Sequence, residues 1–376
     1  MSFSEALDAM GYGDFTHILN PPLDAMNDSL LGFPGMGSWI YQQIQARSLG
    51  YQHGSVAKVQ IARSIDFYAT LFQQTSSLSW KDVLSFAVPF AEKIKTSWSN
   101  YHEEMEGVAE GSGYSILDIV ALNVRTEIAF GAFSDGCTSL AWHTEKHSFL
   151  AQNWDWQPAQ KQNLIILEIE QTSKPSIKMV TEAGIIGKIG FNSSGVGVCL
   201  NAIRAKGVDN NRLPVHLALR MALDSFSTKE AVGLLKDKYG VASPAHILIA
   251  DAVESAGCEF TSTTSAVITA DERGRVIHSN HLLLSHPGVF DTAWLADSSF
   301  RISRVLELTD GILGQGGPSQ EAVEGIFKDR VNAPAAICRN GEFETLFSII
   351  MDLKAQKAVV VLGMPGKGKE FVQLLF

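Results

Sequence analysis

Cys137 is the residue of this chain with the clearest capacity for chemistry. It follows Asp135 and Gly136 between two apolar runs, in the stretch RTEIAFGAFSDGCTSLAW that covers residues 125–142. A buried cysteine commonly acts as a small hydrophobic side chain. If the bond before it were cut, the residue would carry a thiol and a free α-amine with a reference pKa of about 7.7–8.0. That amine could take the thiol proton. Two interpretations are therefore open, an inert core residue or a nucleophile exposed by chain cleavage.

Gly136 has properties that suit the second interpretation. Glycine lacks a Cβ and tolerates strained backbone angles, so its carbonyl carbon is open to attack by the sulfur of Cys137. That attack would move the acyl group of Gly136 from nitrogen to sulfur. Hydrolysis of the resulting thioester would free the amine of Cys137, and one residue would then supply both nucleophile and base.

The sequence before Cys137 predicts a mainly helical region. Residues 1–45, which contain a Pro-Pro pair and a glycine-rich stretch at 32–37, are expected to be loosely structured. From Ser55 onwards, apolar residues recur with helical spacing. Ser79 is predicted to cap the next helix and Pro89 to kink or break it. A third helical stretch is expected to end near Gly131.

After Cys137 the pattern changes to short apolar runs separated by turn residues, which predicts antiparallel strands. The predicted strands cover residues 138–142, 149–156, 163–171, 177–184, 187–192, 195–204, 245–252, 258–263, 266–271, 275–280, 346–354 and 358–365. A helical pair that includes Phe226 and a later helix over 298–329 interrupt them. We therefore predict an α+β fold, a four-layer αββα sandwich of two stacked antiparallel sheets flanked by helices. A doubly wound parallel sheet is the lesser choice.

Composition and charge exclude several classes of protein. The chain has 40 acidic and 30 basic residues, a formal net charge of −10 and no clustered basic run, so no nucleic acid partner is expected. The four cysteines, at 137, 199, 258 and 338, lack zinc-site spacing and favour a reducing compartment. No apolar run approaches the about 18 residues that span a membrane, and no secretory leader is evident. The C-terminal Gln-Leu-Leu-Phe is not a peroxisomal signal. We expect a cytoplasmic protein without a membrane partner.

Several motifs in a fixed order resemble one family. They are GYQHGSVAKVQIARSIDF, LNVRTEIAFG, DGCTS, AQNWDW, TEAGIIGKIGFNSSGVGV, IHSNHLLL and AICR. The set resembles the acyl-CoA:6-aminopenicillanic acid acyltransferase (isopenicillin N acyltransferase) family, which implies an N-terminal nucleophile hydrolase fold. The resemblance begins at about Gly50. Residues 1–49 are then an N-terminal extension, 50–136 the helical α-chain region, and 137–376 the β-chain catalytic region.

The resemblance implies a role for each of several residues. Cys137 matches a nucleophile exposed by autocatalytic cleavage after Gly136, and Asp155 matches an aspartate that orients the new amine. Asn280 matches an asparagine that donates to the oxyanion, and loss of such a donor costs about 10²–10³ in rate. Arg339 matches an arginine that holds a carboxylate or the substrate acid.

Ser139 is a departure, because it stands where the family has a threonine. Serine keeps the hydroxyl and loses the methyl that restricts the rotamer, which bears on rate more than on mechanism. Without the resemblance, Asp155 would be interpreted as a turn residue and Asn280 as a polar loop residue. Arg339 would be a surface ion-pair partner worth about 0–1 kcal/mol.

The function implied is that of a self-cleaving cysteine acyltransferase or amidohydrolase. It would move an acyl group from acyl-CoA or an N-acyl amide, through a thioester on Cys137, to a small amine such as 6-aminopenicillanic acid, with no metal or organic cofactor. The α and β chains would form a heterodimer, in penicillin-type biosynthesis or as a cytosolic paralogue. Two alternatives stay open, an N-acyl amide hydrolase of the bile-salt type that uses water as acceptor, and an unprocessed protein without catalysis.

Two other patterns resemble binding sites but are incomplete. His278 and His281 could suggest a metal, but no third and fourth ligands are evident. Residues 363–370 nearly fit a phosphate-binding loop, but Glu370 stands where a hydroxyl is needed for Mg²⁺.

Overall fold

Two stacked β-sheets form the centre of the fold. The structure, a computed structural model, describes residues 16–20, 36–129, 136–289, 295–367 and 371–376, with residues 16–20 and 36–44 described by their backbone alone. Within these ranges the strands are β1 (Thr16–Asn20), β2 (Gly136–His143), β3 (Ser148–Trp156), β4 (Leu164–Ile169), β5 (Ile177–Glu182), β6 (Ile189–Asn192), β7 (Gly197–Ala202), β8 (Ala245–Ala250), β9 (Ser255–Phe260), β10 (Ser265–Thr269), β11 (Arg275–His278), β12 (Glu344–Asp352), β13 (Lys357–Leu362) and β14 (Phe371–Leu375).

The strands divide into a large and a small sheet. The large sheet has the order β1-β4-β5-β6-β7-β8-β9-β10, and the small sheet has the order β11-β2-β3-β12-β13-β14. Neighbouring strands are antiparallel except for β1, which pairs with β4 in parallel. The sheets are stacked, since β2 contacts β7, β8 and β9, and β3 contacts β7. The predicted antiparallel arrangement is confirmed, and the doubly wound alternative is wrong.

Helices cover both outer faces of the stack. They are α1 (Met36–Val56), α2 (Lys58–Ser76), α3 (Trp80–Ser97), α4 (Ser99–Ser112), α5 (Ile116–Asn123), α6 (Arg125–Ile128), α7 (Val215–Leu223), α8 (Thr228–Val232), α9 (Ser298–Leu313) and α10 (Gln320–Phe327), with a 3₁₀ helix at Pro158–Asn163 and a π-helical turn at Gly233–Tyr239. Helices α9 and α10 pack on the small sheet, and α7 and α8 on the large one. The four-layer αββα prediction is confirmed. No helix in the described parts combines the length and apolarity required to cross a bilayer.

Layering explains why strand β3 of the small sheet is buried along its whole length. All nine of its residues are buried, because one of its faces meets the large sheet and the other meets α10. Its polar residues, which include Gln152, Asn153 and Asp155, are therefore buried as well. The edge strand β14 instead alternates between exposed and buried residues, so only one of its faces is covered.

Helix boundaries agree in part with the sequence predictions. Ser79 caps α3, as predicted, and accepts from the backbone of Asp82 in a reciprocal capping box. Pro89 does not break α3, because the helix continues to Ser97 and buries apolar residues on both sides of the proline. The third helical stretch is split into α5 and α6, and its predicted end at Gly131 lies outside the described residues. Phe226 lies between α7 and α8 and is exposed.

The N-terminal segment contains more structure than the sequence predicts. Strand β1 and helix α1 both fall in the part expected to be loosely structured, and α1 crosses the expected boundary at residue 49. Helix α1 packs against α4 through glycines on both helices. A Cβ at Gly54 would come within 2.9 Å of the Ser112 nitrogen, and one at Gly107 within 2.7 Å of the Tyr51 nitrogen. These glycines therefore allow close packing of two helix backbones.

A buried charge cluster joins the segments before and after residue 136. Its centre is the carboxylate of Glu182, which accepts from the Tyr68 hydroxyl, from Arg125 Nη2 at 3.0 Å, from Gln160 Nε2 at 2.9 Å and from Lys188. Burial alone would raise the pKa of Glu182, but the charges of Arg125 and Lys188 hold it well below its usual range. Tyr68 and Arg125 precede the expected cleavage point, and the other three residues follow it.

Candidate active site

The start of strand β2 positions the expected cleavage point beside a buried carboxylate. In the antiparallel β2–β3 pair, Gly136 lies opposite Asp155 and Cys137 lies opposite Trp154. Strand β12 pairs with the other side of β3 and places Thr345 beside Asp155. A register shift follows directly after Thr345. Irregular pairing of this kind often re-aims side chains beside functional sites.

Gly136 is a glycine because its neighbours approach closely. A Cβ built on it would lie 3.3 Å from Asp155 Cβ and 3.4 Å from both Asp155 Oδ2 and Arg339 Nε. Its φ angle is not in the left-handed region, so the backbone strain considered in the sequence analysis is not the reason. The missing side chain lets the carboxylate and the guanidinium reach the main chain just before Cys137.

Asp155 is fully buried and incompletely paired. Its Oδ1 accepts a hydrogen bond from the Thr345 hydroxyl at 2.7 Å. Its Oδ2 lies 3.5 Å from Arg339 Nε, an ion-pair distance, but makes no hydrogen bond among the described residues. Burial raises the pKa of Asp155 to about 7, although the charges of Arg339 and Arg301 oppose the rise. The carboxyl group can therefore give or take a proton near neutral pH.

The raised pKa of Asp155 predicts how stability depends on pH. The folded state binds this proton more tightly than the unfolded chain, so the stabilising contribution is present below about pH 4 and is lost as the pH rises through about 7. A rise from 3.8 to about 7 corresponds to about 4 kcal/mol of unfolding free energy. In an uncleavable Cys137→Ala background, Asp155→Asn should flatten this loss. Urea unfolding at pH 5 and pH 8 measures it, and parallel pH dependences in the two proteins would refute the assignment.

Arg339 and Asp297 continue the charge cluster. Arg339 Nη2 forms an ion pair with Asp297, and the Arg339 backbone nitrogen donates to the Thr345 hydroxyl at 3.0 Å. Asp297 also accepts from Arg301 Nε at 2.7 Å. Burial would raise the pKa of Asp297, but Arg301 and Arg339 lower it overall. Two guanidinium groups are thus balanced by two carboxylates beside Gly136.

Asn280 contacts the backbone nitrogen of Cys137. Its Oδ1 accepts from that nitrogen at 2.9 Å and from Arg301 Nη2 at 2.7 Å. Its Nδ2 donates to the carbonyl of Ala202, at the end of β7, at 3.0 Å. The Asn280 backbone nitrogen donates to the Ser298 hydroxyl at 2.7 Å. In the intact chain the backbone nitrogen of Cys137 therefore faces the side chain of Asn280, whose amide nitrogen points to β7.

Ser139 does not join the charge cluster. It lies two residues after Cys137 on the same face of β2, towards the large sheet, and its hydroxyl donates to Asn201 Oδ1 at 2.6 Å. The same oxygen contacts His246 Nδ1 at 2.9 Å, and His246 stacks on His278 with ring centroids 3.5 Å apart. Ser139 therefore belongs to a buried polar chain between the two sheets.

Of the expected site residues, Cys137, Gly136, Asp155, Asn280 and Arg339 come together at one end of β2 and β3. The sequence analysis missed three further members of this cluster, Arg301, Asp297 and Thr345. Asp297 directly precedes a predicted helix and stands four residues before Arg301, a spacing typical of an exposed ion pair, so nothing in the sequence marked them as buried. Thr345 could have been found only from the pairing of β12 with β3.

The fold and this site define an α+β sandwich protein with buried ionisable groups at the start of a central strand. The family model for acyl-coenzyme A:6-aminopenicillanic acid acyl-transferase matches residues 142–367. The chain belongs to this family, and thus to a family of acyl-transferring enzymes. The matched region includes Asp155, Asn280 and Arg339, and it begins after Cys137 and Ser139.

Other known proteins are similar over different shares of the chain. The 40 kDa form of acyl-coenzyme A:6-aminopenicillanic-acid-acyltransferase from Emericella nidulans is 39% identical over 336 residues, which are 87% of this chain and 93% of that protein. A mutant of conjugated bile acid hydrolase from Clostridium perfringens has a TM-score of 0.47 and 15% identity over 63% of this chain and 92% of its own. Penicillin V acylase from Agrobacterium tumefaciens has a TM-score of 0.46 and 12% identity over 63% and 85%.

Proposed function

We propose that this protein is a cysteine acyltransferase that activates itself by cleaving the Gly136–Cys137 bond. The observation that carries the proposal is the placement of the Cys137 nitrogen against Asn280, with Asp155 and Arg339 packed against Gly136. The cut would produce an α chain of residues 1–136 and a β chain of residues 137–376, which stay together as a heterodimer.

Cleavage would begin with attack of the Cys137 sulfur on the Gly136 carbonyl carbon. The thiol loses its proton as the carbon–sulfur bond forms, and the departing nitrogen gains a proton as the carbon–nitrogen bond breaks, so overall one proton moves from sulfur to nitrogen. Asp155 supports this step, because its pKa of about 7 and its position opposite Gly136 suit a group that gives that proton. Water would then hydrolyse the thioester and leave Cys137 as an N-terminal residue with a free amine.

In turnover, the thiolate of Cys137 would attack the carbonyl carbon of the acyl donor. The side-chain amide of Asn280 would donate to the oxyanion, and an acyl-thioester would form as the first product leaves. A small amine then takes the acyl group. The family and the similarity to the Emericella nidulans protein support acyl-CoA as donor and 6-aminopenicillanic acid or a related amine as acceptor. None of the four cysteines forms a disulfide bond, which suits the reducing cytoplasm expected from the sequence.

An assay with two acyl donors tests the reaction. The purified protein should release CoA from a phenylacetyl-CoA probe, carry the acyl group as added mass on the β chain, and form an amide with 6-aminopenicillanic acid. If an N-acyl amide is hydrolysed in water and no amine accepts the acyl group, the amidase alternative replaces the transferase. If neither substrate acylates the β chain, the proposed activity is refuted.

A further inference from the structure

Arg301 occupies the centre of the site although no sequence motif marks it. Its side chain is fully buried on α9, and it uses four of its five N–H groups. Its Nε donates to Asp297 at 2.7 Å, its Nη1 donates to the Cys137 carbonyl and to Thr138 Oγ1 at 2.9 Å, and its Nη2 donates to Asn280 Oδ1 at 2.7 Å. A single guanidinium group thus connects strand β2 with the loop that follows β11.

These contacts select one orientation for the Asn280 amide. The Oδ1 atom receives N–H groups from both Cys137 and Arg301, so the amide nitrogen must face Ala202. If the amide were rotated, its NH₂ group would face the N–H groups of Cys137 and Arg301. These buried N–H groups would lose their acceptor, each at a cost of about 1–3 kcal/mol. Arg301 therefore determines which way the Asn280 amide is turned, and so which end of it could donate to an oxyanion.

The same guanidinium group holds the residues that would begin the β chain. Its contacts with the Cys137 carbonyl and the Thr138 hydroxyl lie on the C-terminal side of the Gly136–Cys137 bond. They do not depend on that bond and would persist after it is cut. New chain ends are poorly ordered unless other groups hold them.

Ion pairing with Asp297 does not by itself explain why Arg301 makes these contacts. Asp297 is also paired with Arg339, and one N–H of Arg301 is enough for the remaining ion pair. The other three N–H groups contact uncharged acceptors on Cys137, Thr138 and Asn280. The planar guanidinium group of arginine can donate to several acceptors at fixed positions, whereas the ammonium group of a lysine cannot contact all of them.

We propose that Arg301 is a positioning residue that orients both the N-terminal nucleophile and the amide of Asn280. This inference rests on the proposed function. It adds a residue of α9 to the catalytic apparatus, and it assigns to that residue the alignment of two groups rather than contact with substrate.

Arg301→Lys tests the inference, with Arg220→Lys as the matched control. Arg220 is an equally buried arginine on α7 that pairs with Glu104 at 2.7 Å and lies outside the site. Arg301→Lys should lower kcat per cleaved chain about 10²-fold with little change in KM, because a small misplacement of reacting groups has an effect of this size. It should also slow alkylation of Cys137 by iodoacetamide. Arg220→Lys should lower the thermal midpoint and leave kcat per cleaved chain unchanged.

Each outcome decides the question. If cleaved Arg301→Lys protein has the wild-type kcat and the wild-type alkylation rate, the inference is overturned. If the Arg301→Lys precursor folds as stably as Arg220→Lys but is not cleaved, the inference is supported. If Arg301→Lys does not fold, Thr138→Val removes one acceptor of the guanidinium and should lower kcat several-fold, and an unchanged kcat would overturn the inference. A Cys137→Ala protein with full turnover would instead refute the proposed function itself.

Discussion

Replacing Cys137 by alanine is expected to leave the chain as a single species near 40.9 kDa and to abolish acyl transfer. In the proposed mechanism this thiol is the nucleophile for both the cut and the turnover, so its removal should stop both. Wild-type protein should instead yield two fragments, the second of which begins Cys-Thr-Ser-Leu. Intact mass spectrometry and N-terminal sequencing measure the cut, and CoA release measures turnover.

Cys258→Ala is the matched control for the loss of a buried thiol. Cys258 is fully buried on β9, and burial raises the pKa of its thiol to about 12, so it is inert as a nucleophile near neutral pH. Its variant should be cleaved and active. Turnover by Cys137→Ala would contradict the nucleophile assignment. Full activity in a wild-type chain that remains a single species would contradict the proposed cleavage.

Gly107→Ala should prevent accumulation of folded protein or lower the free energy of unfolding by at least about 3 kcal/mol, the scale of severe overpacking. The added Cβ would lie 2.7 Å from the Tyr51 nitrogen and would collide with the Arg47 carbonyl oxygen. These are main-chain atoms of α1, so no rotamer change can relieve the collision. Helices α1 and α4 would have to separate along their contact.

Gly325→Ala provides the comparison for this helix substitution. Gly325 is exposed on α10, and a Cβ there would meet no atom within 4 Å. Alanine should stabilise the protein by about 0.5–1 kcal/mol through its higher helix propensity. Urea unfolding of both variants measures the difference. A Gly107→Ala protein as stable as the wild type would show that α1 and α4 are not packed as described.

The sequence predicted the layers and one part of the candidate site well. Strand patterning and turn residues predicted the stacked antiparallel sheets, because alternation and length are local properties. The cluster of Asp155, Asn280 and Arg339 near Cys137 depended on the family resemblance, since these residues are far apart in sequence and meet only through strand pairing. Their catalytic roles stay predictions.

Other features depend on contacts that the sequence does not encode locally. Helix α1 was missed because the glycine-rich stretch at 32–37, which reaches its first residues, is typical of a break. Strand β14 was missed because a run of five residues is too short to show a clear strand period. Arg301 was missed because only the tertiary fold buries it. Ser139 was grouped with the site through the family resemblance, and its contact with Asn201 depends on the stacking of the two sheets.

The buried carboxylate of Glu182 limits which substitutions this protein can accept during evolution. It is shared by a phenol and a guanidinium from before residue 136 and by an ammonium and an amide from after it. If the segment before or after residue 136 were transferred alone into another protein, a buried ion would be left without its partner. The cost would be about 3–5 kcal/mol. The segments before and after residue 136 are therefore expected to change together. A substitution at one of the shared ions requires a compensating substitution in the other segment.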